Sequence, residues 1–250
     1  MQKFLTIQIL TKDCEDNILR CIRSLQPLIE FIKDIVIIDD NSTDKTLLIL
    51  ESLKSRYKLP IKIISHAKGN LGFAGQRNIA IDNSEGDWIL ILDSDETIHP
   101  NIYWELLSMI QTENIVAWFF PRLLLFPDNT KFLMDAYPDY QMRLFKKHPG
   151  IRFTRLVHEY LIYTDKEKKE YSLGISQPNT NISKKIHIYH YQLLSSKDKL
   201  EEKGERWLKL SKESKQAGFS IIGKDAFQFK LYNHRIAFLT DELKEGIINE

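Results

Sequence analysis

The chain has 250 residues, of which 43% are hydrophobic and 28% charged, with a formal net charge of +1. That length and apolar content suit one large domain, or a domain with an appendage, and exclude a disordered or fibrous chain. There is no basic excess to follow a phosphate backbone, so no nucleic acid partner is expected. Cys14 and Cys21, seven apart at the first helical segment, are the only cysteines. They make neither a CxxC redox pair nor a zinc quartet and read as small buried thiols in a reducing compartment. The first ten residues are too short an apolar stretch for a signal peptide before Lys12 and Asp13. The best membrane candidate, 115–126, is interrupted by Pro121 and Arg122 and falls short of the ~20 residues a spanning helix needs. A cytoplasmic protein is expected.

Residues 4–10 form a β-prone apolar run, followed by a polar loop and by Ile18, Leu19, Ile22 and Leu25 at the spacing of a buried helix face. Residues 35–38 repeat the buried-strand pattern and run into Asp39-Asp-Asn-Ser-Thr-Asp44, after which Thr46, Leu47, Leu50 and Leu53 mark a second helix. A third strand at 61–64 leads through a glycine-bearing loop into a helix from about 76 to 81, and Trp88-Ile-Leu-Ile-Leu-Asp93 is the fourth strand. Short, unalternated Ile/Leu runs separated by helices predict parallel strands buried on both faces, hence a doubly wound α/β half with its ligands beyond the strands' carboxyl ends.

After Pro100 the pattern changes. A helix at 101–112 precedes aromatic, proline-punctuated runs to 153 that read as antiparallel strands, so the sheet is mixed. Residues 165–170 are a charged turn, and 184–191 alternate as a strand. From 195 the chain turns Lys/Glu-rich with Leu200, Trp207, Leu208 and Leu210, predicting an exposed amphipathic helix and a second helix over 225–239. The partition expected is a nucleotide-binding half (1–98), an acceptor half (99–194) and a helical C-terminal appendage (195–250).

Three groups carry chemistry. Asp39 and Asp40 end the second strand, where an acid accepts hydrogen bonds from a ribose hydroxyl or a base N–H; Ser42 and Thr43 suit helix capping. The glycines at 69, 72 and 75 follow the third strand and not the first, so they are not the dinucleotide fingerprint. Arg77, early in the next helix, is placed to reach a diphosphate. Asp93 and Asp95 fall on one side of an extended segment and can share a cation, with Glu96 turned to the other side as a structural acid.

At these mutual spacings, Asp39-Asp-Asn-Ser-Thr-Asp-Lys-Thr46, Gly72-Phe-Ala-Gly-Gln-Arg-Asn78 and Leu92-Asp-Ser-Asp-Glu96 resemble a family 2 glycosyltransferase of the GT-A fold. Asp139-Tyr-Gln-Met-Arg-Leu-Phe-Lys146 followed by Val157-His-Glu159 is similar to the subgroup containing lipopolysaccharide core β-glucosyltransferases and some peptide S-glycosyltransferases. The resemblance covers about residues 4–192 of the sequence.

The resemblance implies a Rossmann-like nucleotide-sugar half and a UDP-sugar donor held by Thr11, Asp39, Asp40, Arg77 and Asp93. It implies a divalent metal, Mn²⁺ or Mg²⁺, on Asp95, Asp93 and His158, although His158 reads equally as a hydrogen-bonded structural histidine. The reaction is one inverting displacement with Glu159 as base and Asp139 as its rival. Arg143 either holds phosphate or pairs with an acid, and the His187–Tyr191 face either lines an acceptor groove or packs. The acceptor expected is a glycan or glycolipid of a bacterial surface, with peripheral membrane association. Asp13 stands where relatives often carry Asn, and the Gln-x-x-Arg-Trp signature of processive synthases is absent, so one sugar is transferred per encounter. The rivals are a sugar nucleotidyltransferase, whose usual glycine-rich loop after the first strand is missing here, and a noncatalytic sugar-nucleotide-binding module.

Overall fold

A computed structural model describes residues 3–126, 131–134, 137–156 and 159–191, together with the backbone of 236–238. The Ile- and Leu-rich runs become strands β1 (Leu5–Thr11), β2 (Ile32–Asp39), β3 (Ile61–Ser65) and β4 (Trp88–Asp93), which pair in parallel in the order β3-β2-β1-β4. All seven residues of β1 are buried, as a parallel strand covered on both faces requires. Leu5, Ile7 and Ile9 face one side, packing with α1 (Ile18–Arg23), α2 (Thr46–Tyr57) and α4 (Ile102–Gln111) through residues such as Cys21, Leu50 and Leu106. Ala74, Ala80 and Ile81 of α3 (Gly72–Asp82) cover the other side over Leu10, Val36, Ile38 and Ile91. Cys14 lies in the turn before α1, not in the helix; both cysteines are buried and unbridged.

Later strands join the same sheet. β5 (Glu96–Ile98), β6 (Ala117–Leu124), β8 (Asp139–Lys146), β12 (Thr180–Ile182) and β13 (Ile188–His190) extend the first four strands into one nine-stranded sheet, ordered β3-β2-β1-β4-β8-β6-β13-β5 with β12 beside β6. β8 runs antiparallel to both β4 and β6, while β13 is parallel to β6 and antiparallel to β5. The mixed α/β sheet expected from the sequence is therefore present. The β6–β8 ladder has one irregularity: Trp118 pairs with Leu144 and Phe119 with Met142, which leaves Arg143 as an extra residue in β8. Such a bulge bends the strand and re-aims its side chain.

β9 (Ile151–Thr154), β10 (Tyr160–Thr164) and β11 (Glu170–Ser172) make a second, three-stranded sheet. α3 fixes its position. Asn78 exchanges two hydrogen bonds with the backbone of Phe153, at 2.9 and 2.8 Å, and the Phe73 N–H donates to Leu156 O at 3.0 Å. Gly72 sits at φ +60°, and a Cβ there would lie 2.5 Å from Leu156 Cα and carbonyl oxygen. Gly72→Ala is therefore expected to destabilise the fold by about 1–3 kcal/mol through backbone strain, with the displaced loop adding to it. Thermal unfolding checks this, and an unchanged melting temperature would contradict the close approach.

In the C-terminal segment expected to be helical, residues 236–238 instead form a strand, β14 (Ile236–Phe238), antiparallel to β7 (Lys131–Leu133). A helix cannot donate its backbone to such a ladder, which corrects the helix expected over 225–239 at these three positions. The remainder of 195–250 lies outside the described residues.

Candidate active site

The carboxyl ends of β1, β2 and β4 open on a cavity of about 820 Å³, closed on its far side by β8, β6 and the β9–β11 sheet. Eight carboxylates and five Lys or Arg side chains line it. Acidic side chains therefore outnumber basic ones on its wall, and the net negative charge favours a cation there.

On the nucleotide side the structure separates Asp39 from Asp40. Asp39 is fully buried and lies off the cavity wall; its Oδ1 and Oδ2 accept from the Ser42 hydroxyl and backbone N–H at 2.5 and 2.9 Å. These bonds shape the loop into α2 and hold the Asp39 carboxylate away from the cavity. Asp40 does face the cavity, with Oδ1 accepting the Lys68 N–H at 2.7 Å. Lys68 Nζ lies 3.9 Å from the centre of the Phe73 ring. Thr11 is also on the wall, its hydroxyl buried with no hydrogen-bond partner among the described residues. Asp13, at φ +45°, accepts from the Thr43 N–H at 2.7 Å and thereby ties the loop after β1 to the loop after β2.

The floor is a chain of alternating charges. Asp139 accepts from Arg122 Nε at 2.8 Å, and Arg122 Nη1 reaches Glu96 Oε1 at 3.2 Å. Arg143 Nη2 donates to Glu96 Oε1 at 2.5 Å and to Asp93 Oδ2 at 3.0 Å. Arg77 Nη2 donates to Asp93 Oδ1 at 2.9 Å, and Arg77 Nε to Glu159 Oε1 at 2.8 Å. Burial alone would push the Asp93 carboxyl upward, but Arg143 and Arg77 hold it well below the usual carboxylate range. The guanidinium of Arg143 is pushed above its ordinary value: burial opposes the charge, and Glu96 and Asp93 outweigh it. Removing one partner from such a network leaves a buried charge uncompensated, at a cost of about 3–5 kcal/mol.

This geometry revises several expectations. Arg77, expected to reach diphosphate, bridges Asp93 and Glu159 with two of its nitrogens, and only Nη1 is left without a partner among the described residues. Arg143, left open between phosphate and an acid, pairs with acids. Asp93 and Asp95 do not share an extended segment, because Ser94 and Asp95 form a turn that folds Glu96 back under Asp93. Each Asp93 oxygen accepts from one arginine, and the carboxylate remains on the cavity wall. Asp95 remains on the wall, and its Oδ2 lies 3.4 Å from His190 Nε2. Two ligand atoms each about 2.1 Å from one ion stand about 3.0–3.4 Å apart, so this pair fits adjacent positions around a divalent cation. Among the described residues no third His, Cys, Asp or Glu joins them, and His158 lies outside those residues.

The two base candidates differ in placement. Glu159 lines the cavity, and its described hydrogen bonds and ion pairs use Oε1 alone. Asp139 does not line it: Oδ2 is paired with Arg122, and Oδ1 accepts from Gln141 at 2.6 Å. Among the described residues, no helix is long and apolar enough to cross a membrane.

A TPR repeat-containing protein of Synechococcus elongatus is 26% identical over 198 residues, 78% of this chain and 43% of that protein. The poly(ribitol-phosphate) β-N-acetylglucosaminyltransferase TarS of Staphylococcus aureus is 39% identical over 104 residues, 40% of this chain and 17% of that protein. The chain thus spans less than half the length of these curated relatives. A crystal structure of S. aureus TarS 1–349 in complex with UDP-GlcNAc superposes over 50% of this chain and 35% of that one, at 27% identity and a TM-score of 0.43. The model of glycosyl transferase family 2 matches residues 6–167, well over half of the sequence, and the chain belongs to that family.

Proposed function

We propose that the protein transfers a hexose from a UDP-sugar to an acceptor hydroxyl in a single inverting displacement that depends on Mn²⁺ or Mg²⁺. The acceptor we assign is a bacterial glycolipid or surface glycan of the lipopolysaccharide core type, reached from the cytoplasm at the inner face of the membrane. The observation that carries this reading is that Thr11, Asp40, the Asp95–His190 pair and Glu159 face one cavity at the strands' carboxyl ends. The 39% identity over 104 residues to a β-N-acetylglucosaminyltransferase supports sugar transfer. The match to glycosyl transferase family 2 supports sugar transfer over the sugar nucleotidyltransferase reading.

In this reading Asp40 accepts the uracil N–H, the Thr11 hydroxyl satisfies its lone donor on the nucleoside, and Asp93, held by two arginines, accepts from the ribose. Asp95 and His190 hold the cation, with His158 a further candidate. When bound, the cation supplies positive charge against the departing diphosphate. Glu159 removes the acceptor proton as the acceptor oxygen attacks the anomeric carbon. The new carbon–oxygen bond forms on the face opposite the one that breaks to the diphosphate, which inverts the configuration. Arg77, bound to Oε1, orients the carboxylate.

A thermal-shift panel of nucleotide sugars with Mn²⁺ tests the proposal. A donor at a hundred times its Kd stabilises the protein by about 2.7 kcal/mol, so one or more UDP-hexoses are expected to raise the melting temperature. A panel in which no UDP-sugar does so would contradict it.

A further inference from the structure

One member of the charge chain is enclosed wholly within the fold. Glu96 is fully buried and does not line the cavity, yet it contacts three parts of the site. Its Oε2 accepts the Asp93 N–H at 3.0 Å, and its Oε1 accepts from Arg143 at 2.5 Å and from Arg122 at 3.2 Å. Its backbone lies in register opposite His190 across β5 and β13.

Arg143 reaches this point from the β8 bulge, the one place where the β6–β8 ladder carries an extra residue. A buried ion pair is a poor source of stability, because apolar residues of similar volume commonly do as well. A bulge next to a site typically serves to aim a side chain. Here the aimed guanidinium and the buried carboxylate enclose the Asp93–Asp95 turn from below.

We propose that Glu96 and Arg143 are a positioning pair that fixes the Asp93–Asp95 turn, and so places the cation-binding carboxylate of Asp95 against His190. The inference rests on the donor reading above. Neither residue contacts the nucleobase wall at Asp40 and Thr11, so the pair acts on the metal–diphosphate end of the donor alone.

Two ligands separate this role from a merely structural one. Glu96→Gln keeps the volume and loses the charge, and Arg143→Lys keeps the charge and loses the planar fork. UDP binding with Mn²⁺ is measured by calorimetry and uridine binding by ligand-observed NMR, on variants whose fold is checked by circular dichroism. Outer partners of metal ligands are commonly worth 10–100-fold in affinity, so Kd for UDP with Mn²⁺ is expected to rise by about tenfold or more in Glu96→Gln while uridine binding stays within about threefold. Arg143→Lys is expected to show the same split and carries the test if Glu96→Gln does not fold. Equal weakening of both ligands, or of neither, overturns the positioning role. Wild-type protein that binds UDP no better with Mn²⁺ than without it overturns the donor reading, and the inference with it.

Discussion

Asp95→Ala is expected to remove metal-dependent UDP binding and to lower sugar transfer by about 10²–10³-fold, the scale on which one electrostatic contact to developing charge acts. Asp93 is held by Arg77 and Arg143, and Glu96 by Arg122 and Arg143, while Asp95 lines the cavity and faces His190 at 3.4 Å. In a cavity lined by eight carboxylates and five Lys or Arg side chains, losing the ligand that recruits a cation leaves a diphosphate facing uncompensated negative charge. The pairs of Arg77 with Asp93 and Glu159 and of Arg143 with Asp93 and Glu96 do not use the Asp95 side chain, and circular dichroism checks that the variant folds. UDP titrations with and without Mn²⁺, together with a transfer assay, check this, and a variant with full activity would sink the assignment.

Glu159→Gln is expected to reduce kcat by about 10²–10⁴-fold, the range of general base catalysis, with donor affinity within about threefold of wild type. The amide keeps an oxygen for Arg77 Nε, so Arg77 and through it Asp93 remain in place, whereas proton abstraction is lost. Asp139→Asn behaves differently. Asp139 lies off the cavity wall and is tied to Arg122 and Gln141, so a smaller loss is expected from it, arising through Arg122. If turnover survives in Glu159→Gln and collapses in Asp139→Asn, the base is reassigned.

The parallel half was legible because each of its strands carries its own burial signal. Trp88–Asp93 is an unbroken apolar run ending in acid, and the strand has the predicted limits. α3 starts four residues earlier than its periodicity suggests, because Gly72 enters the helix at positive φ and the glycine run that reads as loop belongs partly to the helix. The site was less legible, since its decisive contacts span distant segments. Nothing local distinguishes Asp39 from Asp40; the difference is that Ser42 takes both oxygens of one and Lys68 approaches the other. Asp93, Asp95 and Glu96 would alternate between sides only on extended backbone, and a two-residue turn at Ser94 and Asp95 interrupts it. His190 comes to Asp95 because β13 pairs with β5, a register set by the mixed topology and not by any motif near His190. The alternating His/Tyr pattern around it was the available signal, and it indicated a strand without indicating its neighbour.

Calorimetry of UDP with the full chain, in Mn²⁺ and again in EDTA, bears most directly on a metal-dependent donor site at Asp95 and His190. Stoichiometric binding that weakens by about tenfold or more in EDTA, equivalent to about 1.4 kcal/mol, is the predicted result. Identical UDP affinity in the two buffers, or none in either, would contradict it.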